Sequence, residues 1–467
     1  MATVTVSAGR SKPFFDYLLL VAALALGVGG YVITSINRTG TVPPNIGVHI
    51  AILLVLGVVA EVGVHYFAPH ADPVILPLAV GLTGIGLAMI YRLDQSYAIT
   101  GELQTGVKQL IMVGIGLVAA AVILIAVRDH RVLRKFTFTA MFISLVLLLL
   151  PFVPGLGKAN YGAQIWISIG SFSLQPAEFV KLTLAIFFAG YLVTNRDSLA
   201  VGGPKLWGIR LPRLRDLGPI SVVWVVSVAI LVMQRDLGTS LLYFGLFVAM
   251  IYVATNRTSW IVLGGLLFIP TAVIAAKLFS HVGRRVTIWL NAFDPEIYDA
   301  VGGSHQVVQG QFGMASGGLF GTGWGLGYPN LVPFAQSDFI LASLAEELGL
   351  TGLMAILMMY LVLIERGFRT AIGVRDGFGK LLAVGISFSL ALQLFVVLGG
   401  ITRLIPLTGL TAPFLAQGGS SMVSSWIAIA LLLRISDAAR RPTAVNMLDS
   451  VPTGSGKVSV RTAGGVA

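Results

Sequence analysis

A carboxylate at residue 338 stands where an apolar run of the sequence begins. Asp338 follows the stretch Pro333-Phe-Ala-Gln-Ser337 and precedes an apolar segment, about 339–365, that predicts a helix. This position suits a general base, which must reach a substrate hydroxyl in a groove. It also suits a helix N-cap, with Glu346 and Glu347 as further polar residues along the helix. The spacing alone leaves both interpretations open.

Two other acidic residues border predicted membrane helices. Glu178 and Lys181 follow Pro176, a good first residue of a helix, and their spacing of three places them on one helix face, where they can pair. The pair either locks the helix to its neighbours or lines a polar cavity for a charged headgroup. Asp236, in the short turn Gln234-Arg-Asp-Leu-Gly-Thr239, either caps the next helix or belongs to that cavity.

Polar residues also gather in two further stretches. Trp166, in Asn160-Tyr-Gly-Ala-Gln-Ile-Trp166, is explained equally well as an interfacial anchor and as part of a site. The stretch 407–421 has a proline and two adjacent glycines inside an apolar run, and broken backbone at membrane depth needs protein or a water-filled cavity to satisfy it. Ser420 and Ser421 would then offer a phosphate-contacting surface at a helix start.

The segment from Gly302 to Gly349 is the one long stretch that is neither an apolar helix nor a charged loop. Its glycines predict tight turns, with one short helix near His305–Gln311. The alternate glycines from Gly321 to Gly327 resemble a nucleotide-binding loop only superficially, because no strand precedes them.

The composition indicates a membrane protein. Hydrophobic residues make up 56% of the 467 positions, charged residues 11%, and the mean hydropathy is +0.88. The net charge of +11 does not indicate nucleic-acid binding, because the Lys and Arg residues fall in short loops between apolar runs. The chain has no cysteine, so disulfides and thiolate metal sites are excluded.

Apolar runs long enough to cross a bilayer predict an all-α, polytopic bundle of about twelve transmembrane helices. The predicted spans are about 16–36, 46–67, 73–92, 105–127, 136–154, 176–194, 219–234, 238–254, 259–280, 339–365, 380–403 and 413–435.

Basic loops predict the orientation. Three loops rich in Lys and Arg, near residues 128–135, 196–215 and 366–380, lie on the same side as both termini, which is therefore the cytoplasm. One large extracellular loop, about 281–338, then faces outward. We divide the chain into residues 1–72 (an N-terminal segment and helix pair), 73–436 (the membrane core) and 437–467 (a disordered cytoplasmic tail).

Six motifs occur in the order typical of one family. The sequence resembles the SEDS family (shape, elongation, division, sporulation), and its extended N-terminus resembles the RodA-like members of actinobacteria. The matching stretches are Asn160–Ala163 with Trp166, Gln175–Lys181, Gln234–Thr239, Gly317–Gly323, Ser337–Ala342 and Pro413–Ser421. They occur in the family's order within a core of roughly residues 73–436.

The resemblance implies a peptidoglycan glycosyltransferase that polymerises lipid II at the outer face of the cell membrane and releases undecaprenyl pyrophosphate. It implies that Asp338 is the base toward the acceptor sugar's 4-hydroxyl and that Glu178, Lys181 and Asp236 line a polar cavity. Arg284 and Arg285 match a basic patch that could hold the pyrophosphate, although an interfacial anchor explains them equally well. A divalent cation, Mg or Mn, could supply the same positive charge.

The family works beside a class B penicillin-binding protein, a transpeptidase, so such a partner is expected. The family core has ten helices, and this chain carries an extra N-terminal pair. It also has Arg235 and the stretch Ala416–Ser421 where many members have Pro and Ser-Tyr-Gly-Gly-Ser-Ser, which affects fine substrate contacts. An elongation role is favoured over a division role.

Two rival functions remain at the level of sequence. A lipid II flippase would also use intramembrane Glu, Lys and Asp, but it needs a polar path to both faces. In the predicted topology Glu178, Asp236, Asp338 and Ser420 all lie in the outer half. A non-catalytic scaffold that recruits the transpeptidase would not need Asp338.

Overall fold

The structure is a computed structural model of the chain. It describes residues 13–42, 46–97, 105–160, 163–169, 172–200 and 233–441, together with 205–206, 209–210, 221, 225–226 and 229. The predicted span 219–234 therefore lies mostly outside the described residues, as do residues 1–12 and 442–467 of the predicted terminal segments.

The described residues form a helical membrane bundle, which confirms the predicted fold class. Eleven helical segments of the described residues are long and apolar enough to cross a membrane, and one of them, His130–Phe152, combines an α-helix with the short 3-10 helices at its two ends. In chain order the helices are α1 Pro13–Thr39, α2 Ile46–Phe67, α3 Ile75–Tyr97, α4 Thr105–Ala126, α5 Thr137–Leu149, α6 Ala177–Ala200, α7 Leu237–Thr255, α8 Ser259–Leu278, α9 Ser280–Leu290, α10 Pro295–Tyr298, α11 His305–Gly317, α12 Ile340–Gly373, α13 Gly377–Ile401 and α14 Gly419–Arg440.

Short strands accompany the helices. An antiparallel sheet of β1 Gly157–Asn160, β2 Ala163–Ile169 and β3 Phe172–Leu174 precedes α6, and a two-stranded ribbon, β4 Lys205–Leu206 and β5 Ile209–Arg210, follows it. Trp166 lies on β2 opposite Lys158. The α14 helix ends at Arg440, four residues beyond the predicted end of the core.

Small residues let the extra N-terminal helix approach the core closely. The α1 helix packs along α3, and a Cβ placed on Gly27 would lie 2.8 Å from the Gly84 Cα. Such contacts are typical of membrane helices, where backbone proximity and van der Waals packing replace the hydrophobic drive. The α2 helix is mostly exposed along its length, as a helix at the edge of a bundle in lipid would be.

The predicted outer loop contains more helix than expected. The predicted short helix at 305–311 is confirmed as α11, but α9 and α10 precede it. The α11 helix packs flat on α12, because a Cβ on Gly310 would lie 2.5 Å from the Phe339 ring.

The α12 helix is broken at Gly349, whose φ of 69° places it in the left-handed region. The break frees the Glu346 and Glu347 carbonyls, which accept hydrogen bonds from Thr322 N and Gly323 N at 3.0 Å each. Because these freed backbone groups find partners in the glycine-rich segment, the broken helix is tolerated at the membrane boundary.

Candidate functional site

Asp338 lies just before α12 but does not cap it. The N-cap is Phe339, which contributes no side-chain hydrogen bond, and the Asp338 carboxylate accepts instead from the Ser337 hydroxyl at 2.6 Å. Burial raises the pKa of Asp338, while the Ser337 hydroxyl and the positive charge of Arg285 act in the opposite direction. The side chain is nevertheless partly exposed. The geometry therefore does not support the N-cap interpretation.

Asp236, by contrast, is the N-cap of α7. Its carboxylate accepts from Thr239 N at 3.2 Å and is buried. Burial raises its pKa, and the Thr239 N–H and the Arg285 charge lower it. Because Arg285 acts on both aspartates, the structure brings Asp236, Asp338 and Arg285 into one electrostatic cluster.

The two arginines of α9 point in different directions. Arg285 donates from Nη1 to the carbonyls of Leu407 at 3.2 Å and Thr408 at 2.8 Å. Arg284 is exposed, and its Nη1 lies 3.4 Å from where a Cβ on Gly302 would stand. They therefore form no single anion clamp in this structure, although Arg285 faces the two aspartates.

A second pair of contacts fixes α9 against the loop between α13 and α14. Trp289 Nε1 donates to the Arg403 carbonyl at 3.0 Å, and Arg403 Nη2 donates to the Trp289 carbonyl at 2.8 Å. Together with the Arg285 contacts, these bonds hold α9 along residues 403–408.

Glu178 and Lys181 form the predicted ion pair, with Lys181 Nζ 2.6 Å from Glu178 Oε2. Lys181 also donates to Gln393 Oε1 at 2.9 Å, and the Ser424 hydroxyl donates to Glu178 at 3.3 Å. Both charged side chains are buried. The pair thus joins α6 to α13 and α14, and Gln393 continues the network by donating to the Thr411 carbonyl at 2.9 Å.

The serines at the start of α14 differ. The Ser420 hydroxyl accepts from Gln175 N at 2.7 Å, whereas the buried Ser421 Oγ has no hydrogen-bond partner within the described part of the chain. The loop before them reaches Asp338's own segment, because Gln417 N donates to the Gln336 carbonyl at 2.7 Å. The interrupted stretch 407–421 therefore contacts Arg285, Gln393 and the segment before Asp338. Trp166 is half-buried on its separate sheet.

Sequence reasoning missed a second buried ion pair. Arg92 on α3 is fully buried and donates from Nε to Glu347 Oε1 at 2.7 Å and from Nη2 to the Gly327 carbonyl at 2.6 Å. Glu347 Oε2 in turn accepts from Gly325 N at 2.8 Å. The glycine run is thus folded around an ion pair. A charged residue at the end of an apolar run was the signal that could have identified Arg92.

The extra N-terminal helix touches the same glycine run. Asn37 Nδ2 donates to the Trp324 carbonyl at 2.7 Å, and a Cβ on Gly30 would lie 2.9 Å from the Trp324 ring. The C-terminal end of α1 therefore packs against the segment that leads to Asp338.

A resident metal would need several donors in one place. Within the described ranges no group of three or more His, Asp or Glu side chains lies close enough to hold a metal ion. The two aspartates near Arg285 do not fit a protein-built metal site, and we assign no step to a cation.

The fold and site define a multi-pass membrane protein in which two carboxylates, of Asp236 and Asp338, lie close enough to the Arg285 guanidinium to interact with it. The profile of the FtsW/RodA/SpoVE family, described as cell cycle proteins, matches residues 73–441, and the chain belongs to this family. This confirms the resemblance to the SEDS family.

Two relatives have names that agree with this family assignment. "Peptidoglycan glycosyltransferase RodA" of Mycobacterium tuberculosis is 44% identical over 431 residues, covering 91% of each chain. The protein of the same name from Mycobacterium leprae is 45% identical over 385 residues, covering 82% of this chain and 81% of its own.

A solved structure shares the fold. A chain of a peptidoglycan synthase complex, described as coordinating polymerization and crosslinking, superposes with a TM-score of 0.64 at 23% identity. The match covers 80% of this chain and 99% of that one.

Proposed function

We propose that the chain is a peptidoglycan glycosyltransferase that polymerises lipid II into glycan strands at the outer face of the cytoplasmic membrane. The relatives that share 44% and 45% of its residues carry that enzyme's name. The observation that carries the proposal is the state of Asp338: a partly exposed carboxylate that caps no helix and whose pKa is raised by burial. A carboxylate with a raised pKa is a stronger base than an ordinary one.

The proposed reaction is a single displacement. Asp338 accepts the proton of the acceptor sugar's 4-hydroxyl as that oxygen forms a bond to the anomeric carbon of the donor. The bond from that carbon to the pyrophosphate oxygen breaks, and undecaprenyl pyrophosphate leaves with the electron pair. One displacement inverts the configuration at the anomeric carbon.

Arg285 is placed to serve the leaving group. Its guanidinium lies close enough to Asp236 and Asp338 to lower the pKa of each. Positive charge at a developing pyrophosphate stabilises the transition state. We assign Arg285 this role and Arg284, which is exposed, an outer contact with the same group. Ser421, whose hydroxyl has no hydrogen-bond partner among the described residues, is a further candidate contact.

Glu178 and Lys181 receive a supporting role in this proposal. Their charges are used within the bundle, where they join three helices beneath the loop that holds Arg285. They position the site and need not touch the sugar. Asp236 combines its cap with the electrostatic cluster.

The cellular setting follows the relatives. The RodA name favours cell elongation and shape over division. We place both termini in the cytoplasm and the 281–338 loop outside, and we propose a class B penicillin-binding protein as the partner that cross-links the product. Whether a divalent cation takes part is tested by including or omitting Mg²⁺ or Mn²⁺ in the assay.

Polymerisation of purified lipid II tests the proposal. The detergent-solubilised full chain, with its transpeptidase partner, is compared with Asp338→Asn and with Asp299→Asn, an exposed aspartate of the same outer loop. Each is assayed with and without Mg²⁺ or Mn²⁺. Glycan ladders from the wild type and Asp299→Asn, but not from Asp338→Asn, are expected. If none of the three proteins makes polymer but all of them move labelled lipid II across liposome membranes, the chain is a lipid II flippase and the proposed glycosyltransferase function is wrong.

A further inference from the structure

A cavity of about 290 Å³ lies between the N-terminal helix pair and the core. Its lining includes Asp16 and Tyr17 of α1, Glu61 and His65 of α2, and Asp72 before α3. Asp16 and Asn37 are separated by 21 positions of one helix, or about 30 Å at 1.5 Å per residue. Since Asn37 contacts the outer glycine run, the cavity lies about one bilayer thickness away from it.

Glu61 is the unusual residue in this cavity. Its side chain is only 9% exposed, yet the described residues give it neither a hydrogen bond nor an ion pair. Asp16 lies close enough to interact with it electrostatically, which adds a second negative charge. A buried carboxylate without a counter-charge is costly in a membrane bundle.

Asp72, on the cavity floor, is already neutralised. It pairs with Arg440, lies 3.7 Å from Arg366 and accepts from Val74 N at 3.0 Å. Arg366 and Arg440 therefore serve Asp72, Arg434 and Arg441 pair with Asp437, and none of the ion pairs found in the described residues involves Glu61. Apart from His65, one turn further along α2, no described side chain that lines the cavity could supply a counter-charge, so a cation that enters the cavity would meet Glu61.

The volume of the cavity and the residues that line it indicate which class of cation can bind there. No group of three metal-ligating side chains lies there within the described ranges, and the volume is several times that of one water molecule. Val64 and Leu76 add apolar walls, and the Tyr17 ring can face a cation. A carboxylate pairs best with a cation that also donates hydrogen bonds, and a primary ammonium has N–H donors that a quaternary ammonium lacks.

We propose that this cavity binds a primary ammonium group through Glu61. Glu61 stands six residues before the end of α2, or about 9 Å along the helix, at the depth of lipid headgroups. The ammonium comes either from an ethanolamine phospholipid headgroup or from a free alkylamine. The family profile begins at residue 73, so the site belongs to the N-terminal extension and does not depend on the proposed glycosyltransferase activity.

The test uses the full chain in lipid nanodiscs. Bound lipid is counted by native mass spectrometry after reconstitution with equal amounts of ethanolamine, choline and glycerol phospholipids. The wild type is expected to retain the ethanolamine lipid at least tenfold over the choline lipid. Glu61→Gln, which keeps an acceptor but removes the charge, is expected to lose that preference. Glu296→Gln, the same change on an exposed helix of the outer loop, is expected to keep it.

A second arm needs no variant and separates the two sources. Detergent-purified wild type without added lipid is titrated with ethanolamine or butylamine, with tetramethylammonium as the quaternary control. If the primary amines raise the thermal midpoint and tetramethylammonium does not, the site binds free amines. If the protein retains ethanolamine lipid but its thermal midpoint does not respond to the primary amines, the site binds the lipid headgroup. Equal retention of ethanolamine and choline lipids, with no response to amines, overturns the proposal. So does equal retention by wild type and Glu61→Gln.

Discussion

Asp338 and the pair of Glu178 and Lys181 are charged groups at similar helix starts, but their surroundings differ. The Asp338 carboxylate has one hydroxyl donor and reaches solvent. Glu178 is satisfied by Lys181 and Ser424, and Lys181 also contacts Gln393. A base must keep a lone pair free for its proton, whereas a structural ion pair must use its charges internally. Within the proposed site, Asp338 therefore has the surroundings of a reactive group, whereas Glu178 and Lys181 have those of a structural ion pair.

The largest expected effect is on catalysis at Asp338. Asp338→Asn should lower the initial rate of lipid II polymerisation by about 10²–10⁴-fold, the usual contribution of a general base. Its thermal midpoint should match the wild type, since no cap is lost. Activity within threefold of wild type, at equal stability, would remove the base from this position.

The next effect concerns stability at the buried pair. Glu178→Gln leaves the Lys181 ammonium buried without its carboxylate and should cost about 3–5 kcal/mol. Lys181→Met combined with Glu178→Gln should recover much of that loss, because both charges are gone. Thermal unfolding of the three variants in detergent measures this. A neutral effect of the single change would mean that the pair is solvated and belongs to the reactive cavity.

A smaller effect separates the two aspartates. Asp236→Ala removes the α7 cap and should cost about 0.5–2 kcal/mol, whereas Asp236→Asn should restore most of that stability. Parallel melts and polymerisation rates are the readout. If Asp236→Asn is as stable as wild type but inactive, Asp236 has a chemical role beyond its cap.

The smallest effect is a shift in pH dependence. In the proposed mechanism polymerisation needs ionised Asp338, so the rate should fall as the pH drops through its pKa, which burial raises above the ordinary 3.8. Arg285→Gln removes a charge that lowers that pKa, so the acidic limb should move to higher pH. Arg285→Lys keeps the charge and should leave the limb in place, even though it alters the contacts with Leu407 and Thr408. If the acidic limb of the pH–rate profile lies at the same pH in the wild type, Arg285→Gln and Arg285→Lys, Arg285 lies outside the site.

Local patterns predicted much of the bundle and several site residues. Runs of apolar residues gave most spans, because crossing a bilayer demands about 20 of them in sequence. The pair Glu178 and Lys181 was also predictable, since residues three apart share a helix face. The motif order and the resemblance identified Asp338, and composition alone indicated a membrane protein.

The two aspartates show where local information ends. Both Asp236 and Asp338 precede apolar helices, and either could be an N-cap by sequence. Only the backbone path decided that Asp236 caps α7 while Asp338 turns to Ser337.

Long-range contacts required the folded chain. Arg92 meets Glu347 across 255 positions, and Lys181 meets Gln393 across 212. Periodicity and spacing report on neighbours within a few turns, whereas these contacts depend on which helices pack together. The sequence determined a membrane bundle with a carboxylate where an apolar helix begins. The tertiary structure decided which charges pair inside the bundle, because partners that distant are chosen by packing alone.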